Sequence, residues 1–152
     1  MALIAGMFEM EDKNIKILEE VINDELFLFK YTEVSNMLKD SYNPKLTVKV
    51  GKRIDKNISK LLQTDDGVLK LKSLLEKNDI RLNFVAARYL YPLDPSFYST
   101  ILIKYKESLK EKIRISEIET LISGLEKRQK VFVDQYKNLY GENRFKKLSR
   151  ME

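Results

Sequence analysis

Residues 80–91 read IRLNFVAARYLY, and Leu93, Asp94 and Pro95 follow them closely. At about 100° per residue, a helix over this stretch has two apolar sides. One side carries Leu82, Val85, Ala86 and Tyr89, and the nearly opposite side carries Phe84, Ala87 and Tyr91. A helix with two apolar faces must be covered on both, so we expect it to lie between neighbouring helices. Asp94 and Pro95 are the types expected at the N-cap and first position of the next helix.

The rest of the chain predicts an all-α protein. It has 152 residues, of which 43% are hydrophobic and 34% charged, with only five Gly and three Pro. Apolar residues recur at three- and four-residue intervals, and long Gly/Ser linkers are absent, so we predict one domain of about six or seven helices over residues 1–152. Asp65 or Asp66 is expected to cap a short helix, and Gly51, in mid-helix on an apolar side, predicts a close backbone neighbour.

The C-terminal part contains two helix-end signals. Residues 116–119 read SEIE, the S-x-x-E form of a capping box, and Gly141 is of the type that ends helices. We therefore predict one long helix over residues 116–141, with a partly heptad-like apolar stripe, and a basic tail over residues 142–152.

The residue types present argue against an enzyme. The chain has no His and no Cys, which excludes histidine-based relays, disulfides, thiolate zinc sites and nearly every transition-metal site. Phosphate-binding glycine loops and nucleophile elbows are also missing from the sequence. We predict no catalytic residue, no cofactor and no metal.

The N-terminal segment is apolar but short, and it has no basic region before it. It runs directly into Glu9, Glu11 and Asp12, so we do not interpret it as a signal peptide. No apolar run approaches the roughly 20 residues that span a bilayer. We expect a cytoplasmic protein without a membrane partner, and either Met1 or Met7 fits as the natural start.

Charge is unevenly distributed along the chain. Residues 1–43 carry nine acidic and four basic side chains, a net charge of −5, and because the whole chain is +5 the remainder is +10. The clearest basic feature is a stripe on the helix predicted over residues 45–62. Six basic side chains fall there within about 100° of one another: Lys45, Lys49, Lys52, Arg53, Lys56 and Lys60. The stripe is either the solvated face of an amphipathic helix or a binding surface for an acidic partner.

Two further groups are candidate partner-binding residues. Glu20 and Asp24 are one helical turn apart and could face a basic partner, or they could belong to a solvated face. Tyr91 and Tyr98 flank the Pro92–Pro95 turn, and we expect them to be the exposed members of a largely buried aromatic group. Whether the basic stripe or the acidic N-terminal helices form the binding face stays open at this point.

A resemblance gives a more specific expectation. The pattern Leu82-x-x-x-Ala86-Ala87-x-x-Leu90, followed by Leu93-Asp94-Pro95, resembles the first helix and turn of a HEAT repeat, although Asn83 stands where these repeats usually carry arginine. Residues 65–79 look like the short helix and turn leading into such a repeat. The likeness covers residues 44–110 and is to small bacterial HEAT-like proteins, several groups of which are associated with polymorphic toxins as immunity proteins.

The resemblance implies a compact HEAT-like α-solenoid bundle, with acidic N-terminal helices over residues 1–43 preceding the HEAT-like core. It further implies a non-catalytic protein-binding scaffold, most concretely an immunity protein that binds and occludes a toxin domain. A basic helical nucleic-acid-binding protein is one alternative. A homo-oligomeric structural protein built through the long C-terminal helix is another, although a monomer is favoured.

Overall fold

A computed structural model of the protein describes residues 2–37 and 43–150, and the side chains of residues 9–31 and 43–150. Within these ranges all regular structure is helical, so the all-α prediction is confirmed. There are eight α-helices, somewhat more than expected: α1 Ala2–Met37, α2 Pro44–Leu62, α3 Asp65–Ser73, α4 Ile80–Leu90, α5 Pro95–Ser108, α6 Lys112–Lys127, α7 Gln129–Tyr140 and α8 Glu142–Arg150. Two 3₁₀ turns, Leu74–Glu76 and Tyr91–Leu93, precede α4 and α5.

The chain divides into two compact units, Met1–Leu71 and Lys72–Glu152. Each unit is described below by itself. The single domain over residues 1–152 and the HEAT-like order of helices over residues 44–110 stay predictions. Over the described helices, none is both long enough and apolar enough to cross a membrane.

In the first unit, α1 packs along α2. Helix α2 begins at Pro44, and the side chain of Asn43 caps it by accepting from the backbone N–H groups of Lys45 (3.1 Å) and Leu46 (3.4 Å). One face of α2 is buried and the other is polar, as its apolar spacing predicts. The buried apolar side chains include Ile17, Val21 and Phe29 on α1, and Val50, Ile54, Ile58 and Leu61 on α2.

Helix α3 is capped by a residue that the sequence reasoning passed over. Thr64, and neither Asp65 nor Asp66, accepts the backbone N–H of Gly67 through its Oγ1, at 2.9 Å. The buried amide of Asn14 donates to Thr64 Oγ1 (3.2 Å) and to Asp66 Oδ2 (2.8 Å). Asp66 is therefore engaged with α1, and the hydroxyl one residue before the helix is the group placed to cap it.

In the second unit, α4 is covered on both of its apolar faces, as residues 80–91 predicted. The 3₁₀ turn Leu74–Glu76 and α5 pack against it, and Phe84 stacks on Tyr105 of α5 with ring centroids 4.4 Å apart. The predicted N-cap of α5 is confirmed, since Asp94 Oδ1 accepts from the backbone N–H of Phe97 at 3.2 Å, and at α4 the side chain of Asp79 accepts from the backbone N–H of Arg81 at 2.9 Å. The buried residues of α4 are Leu82, Phe84, Val85, Ala86, Ala87 and Leu90.

Asn83 has a structural role at the start of this unit. Its side-chain amide donates to the carbonyl oxygens of Leu74 (2.8 Å) and Lys77 (3.2 Å). These carbonyls lie at the 3₁₀ turn before α4, where the backbone leaves groups without a helical partner. The Asn83 amide thus ties the turn to helix α4.

The C-terminal part differs from the prediction of one helix over residues 116–141. Helix α6 already begins at Lys112, so Ser116 lies inside the helix and is not its N-cap. Glu111 precedes the helix in an extended conformation, and its side chain does not cap it. At Arg128 the backbone leaves the helical conformation (φ −105°, ψ 14°) and separates α6 from α7. The long helix on which the homo-oligomer alternative depended is therefore two helices.

The predicted end at Gly141 is confirmed, because this residue has φ +79°, a conformation that favours glycine. The segment predicted as a basic tail is helix α8 up to Arg150, and residues 151–152 of that prediction lie outside the described residues. Phe145 and Leu148 of α8 are buried, and Lys72 Nζ donates to the carbonyl oxygen of Leu148 at 2.6 Å. The apolar pair, spaced by three residues, gives this basic segment a face to bury.

Candidate interaction surface on helix α2

Five lysines of the predicted stripe lie exposed along one side of α2, and we call them the lysine face: Lys45, Lys49, Lys52, Lys56 and Lys60. At 1.5 Å per residue the lysine face extends over about 22 Å of helix. No ion pair joins any of the five to another described residue. The result is an elongated surface of positive charge.

Arg53, the sixth member of the predicted stripe, is engaged within the unit. Its Nε donates to Asp24 Oδ2 at 2.7 Å and its Nη2 to Asp24 Oδ1 at 2.6 Å, a two-pronged pair that joins α2 to α1. The hydrogen bond to Asp24, and then the charge of that carboxylate, raise the pKa of Arg53 above its usual value. A planar guanidinium matches a carboxylate in this way and a lysine ammonium does not.

The two predicted acidic residues face α2 from the other side of the same contact. Asp24 is 9% exposed and holds Arg53. Glu20 is exposed, and its Oε2 accepts from the side-chain amide of the buried Asn57 at 3.1 Å. The structure thus brings together the predicted basic stripe and the predicted acidic pair. Glu20 and Asp24 both bind side chains of α2 within the unit.

An apolar side chain accompanies the lysine face at its N-terminal end. Val48 is 55% exposed and, with Pro44, Lys45, Lys49 and Lys52, lines an open depression of about 480 Å³. Sequence reasoning missed Val48. The available signal was an apolar residue at the edge of the predicted basic stripe, where exposure could have been expected. Gly51, predicted to have a close neighbour, has nothing within 4 Å of the position that a Cβ would occupy.

The expectation that Tyr91 and Tyr98 are exposed is wrong. Tyr91 is 1% exposed and Tyr98 4% exposed. The Tyr91 hydroxyl finds a partner in Gln129 Oε1 at 3.3 Å, so the 3₁₀ turn can bury the ring. Burial, aided by the negative charge of Asp94, raises the pKa of Tyr98 to about 12. The exposed aromatic residue beside the turn is Phe97.

A second open surface lies in the unit Lys72–Glu152, and sequence reasoning missed it as well. It is a groove of about 380 Å³, which we call the α6–α7 groove, lined by Arg88, Tyr89, Pro92, Leu121, Leu125, Phe132, Gln135 and Tyr136. Most of these positions are half-buried, while Arg88 and Gln135 are exposed. Three separate segments form the groove, so no local pattern in the sequence marks it.

No group of three or more carboxylates is placed to hold a metal ion in the part of the chain that the structure describes. Comparison of the chain with known protein families, curated proteins and solved structures finds no match.

Proposed function

We propose that this protein is a non-catalytic binding scaffold whose lysine face docks against an acidic surface of a partner protein. The single observation that carries the proposal is the set of five exposed lysines on α2 that form no ion pair with any described carboxylate. The nearby Asp24 is taken by Arg53 and the nearby Glu20 by Asn57. The positive potential of the lysine face is therefore directed outward, where it would accelerate capture of an acidic partner.

Three features favour a protein partner over a nucleic acid. The depression between Pro44 and Lys52 offers apolar area at Val48, which a protein side chain can cover and a phosphate backbone does not use. The arginine of the stripe, the residue best suited to bind phosphate with two parallel hydrogen bonds, is occupied by Asp24. The lining residues of this depression include no aromatic ring on which a base could stack.

In its most concrete form, the proposal is an immunity protein that occludes a toxin domain. The resemblance of residues 44–110 to small bacterial HEAT-like proteins supports this form. Helices whose side chains are already ordered by packing lose little conformational freedom on binding, which favours stoichiometric inhibition. The acidic surface would then belong to the toxin.

The test reverses three central charges of the lysine face with Lys49→Glu, Lys52→Glu and Lys56→Glu. A matched control changes three exposed lysines elsewhere by the same total charge, with Lys104→Glu, Lys110→Glu and Lys112→Glu. Each protein is used to capture partners from a nuclease-treated lysate of the source cell, and the captured proteins are quantified by mass spectrometry. We expect one protein to be retained by the wild type and the control and reduced at least tenfold with the lysine-face variant. Equal retention by the lysine-face variant, or capture of no protein above the background of an empty resin, would overturn the proposal.

Nucleic-acid binding is the second candidate, and the length of the lysine face is the observation that favours it. Five lysines along about 22 Å could each contact a phosphate. If all five contacted duplex DNA, log K would fall against log salt with a slope of about −4.5. Fluorescence anisotropy with labelled DNA at several salt concentrations measures this slope, and a slope near zero removes the candidate.

A further inference from the structure

The α6–α7 groove presents apolar side chains along one face of α7. Phe132, Tyr136 and Leu139 recur at four- and three-residue intervals and therefore share a face. Leu139, just beyond the groove, is 50% exposed, so the apolar strip continues past Tyr136. From Phe132 to Leu139 it runs about 10 Å along the helix axis. Leu121 and Leu125 of α6 form the facing wall.

The polar group in the floor of the groove already has a partner. Tyr136 donates its hydroxyl to the carbonyl oxygen of Tyr89 at 2.5 Å. Burial raises the pKa of the Tyr136 hydroxyl well above its usual value, so it stays a neutral donor. An apolar occupant can therefore cover the Tyr136 side chain without leaving its hydroxyl unpaired.

Two arginines provide charge along the groove. The Arg88 guanidinium lies 5.3 Å from the ring centroid of Tyr89, and that of Arg128 lies 5.3 Å from the ring centroid of Phe132. Both arginines are exposed, and neither forms an ion pair with a carboxylate among the residues that the structure describes. Arg88 lines the groove itself, and Arg128 lies over Phe132, which lines it. A contact of this kind with a ring leaves the N–H donors of the guanidinium available.

From this arrangement we infer that the α6–α7 groove binds an acidic amphipathic helix of a partner protein. Apolar side chains at positions i, i+3 or i+4, and i+7 of a helix span about 10 Å, the length of the apolar strip on α7. Carboxylates beside those anchors would accept hydrogen bonds from Arg88 and Arg128. The positive charges of Arg88 and Arg128 favour binding of an acidic helix over a basic one.

This inference stands apart from the lysine face. The groove belongs to the unit Lys72–Glu152 and the lysine face to Met1–Leu71, and no residue is common to the two. Variants of one surface leave the other intact, so either proposal can fail without the other.

The experiment selects binders to the full-length protein from a phage-displayed library of 16-residue peptides. Enriched peptides are then synthesised with a fluorophore and their affinities measured by anisotropy. We expect enrichment of peptides with Leu, Phe or Met at helical spacing next to Asp or Glu. Binding should fall at least tenfold with Phe132→Asp and remain within about twofold with Val131→Asp, which changes an exposed apolar neighbour on α7 in the same way.

A charge-exchange variant tests the arginines without disturbing the apolar wall. With Arg88→Glu and Arg128→Glu together, acidic peptides should lose at least tenfold in affinity, and versions with Lys in place of each Asp and Glu should gain at least tenfold. Unfolding curves monitored by circular dichroism check that each variant folds. Unchanged binding of acidic peptides by the charge-exchange variant, or enrichment of peptides without carboxylates, would overturn the inference. Concentration-dependent dimerisation that Phe132→Asp abolishes would also overturn it, because a second copy of the chain would then be the occupant.

Discussion

Two glycines in the first unit should respond with opposite sign to the same substitution. Gly67 lies in the first turn of α3, and a Cβ there would stand 2.7 Å from the carbonyl carbon and 2.8 Å from the Cα of Leu61, and closer still to its carbonyl oxygen. Gly51 lies inside α2 with nothing within 4 Å of its Cβ position. Alanine at position 67 must therefore displace backbone, whereas alanine at position 51 displaces nothing.

The expected magnitudes follow from these distances. Carbon atoms in contact normally lie about 3.5–4.0 Å apart, so Gly67→Ala creates an overlap of about 1 Å. Overpacking costs about 1–3 kcal/mol, and the upper end applies here because the obstacle is backbone. Helix propensity returns at most about 1 kcal/mol, which leaves a net loss of about 2 kcal/mol. Gly51→Ala gains the propensity alone, about 1 kcal/mol.

The assay is urea unfolding of the wild type and both variants, monitored by circular dichroism at the helix band and analysed for the free energy of unfolding and the m-value. Equal m-values would show that the denatured states are comparable. The reasoning is refuted if Gly67→Ala unfolds at the same urea concentration as the wild type. It is also refuted if Gly51→Ala lowers the midpoint, since that would reveal a close neighbour of α2.

Two further predictions concern charged side chains. Arg53→Lys keeps the charge but loses the two-pronged hydrogen bond to Asp24. We therefore expect a lower urea midpoint with unchanged partner capture. Reduced capture at wild-type stability would contradict the structural role given to Arg53. For Asp79, the hydrogen bond from Arg81 lowers the pKa of the carboxyl below its usual value of 3.8. The associated stabilisation is therefore complete above pH 3.8 and is lost as the pH falls through the lower, folded-state pKa. Asp79→Asn keeps an N-cap acceptor but does not titrate. At pH 7 this variant should have a lower free energy of unfolding than the wild type, and the difference should shrink below pH 3.8. A difference that stays constant in unfolding measurements from pH 7 to pH 2 would disprove this.

Local signals were predictive where the chemistry of one short segment decides the structure. The Asp94 cap and the Gly141 helix end are confirmed, because each depends on hydrogen bonds or backbone angles within a few residues. The beginning of α6 shows the limit of such signals. The SEIE sequence satisfies the capping pattern, yet the helix starts four residues earlier, at a point that no capping side chain marks.

The candidate interaction surface was only partly predictable for a related reason. Lys49 and Arg53 belong to the same stripe in the sequence, yet of these two only the arginine forms an ion pair, with the carboxylate of Asp24, which lies 29 positions away. Tyr91 is buried with its hydroxyl donating a hydrogen bond to Gln129, a residue 38 positions away. Periodicity shows on which side of a helix a residue lies, but not whether another helix covers that side.

The sequence on its own determines helix content, the helix ends at Asp94 and Gly141, the two apolar faces of α4 and the segregation of charge along the chain, because each depends on residues close together in the chain. Tertiary structure decided which charged side chains remain exposed, which tyrosines are buried, and that residues between Arg88 and Tyr136 line one groove. The physical reason is that burial and ion pairing depend on partners brought together by folding, and the free energy of these contacts is absent from any single segment.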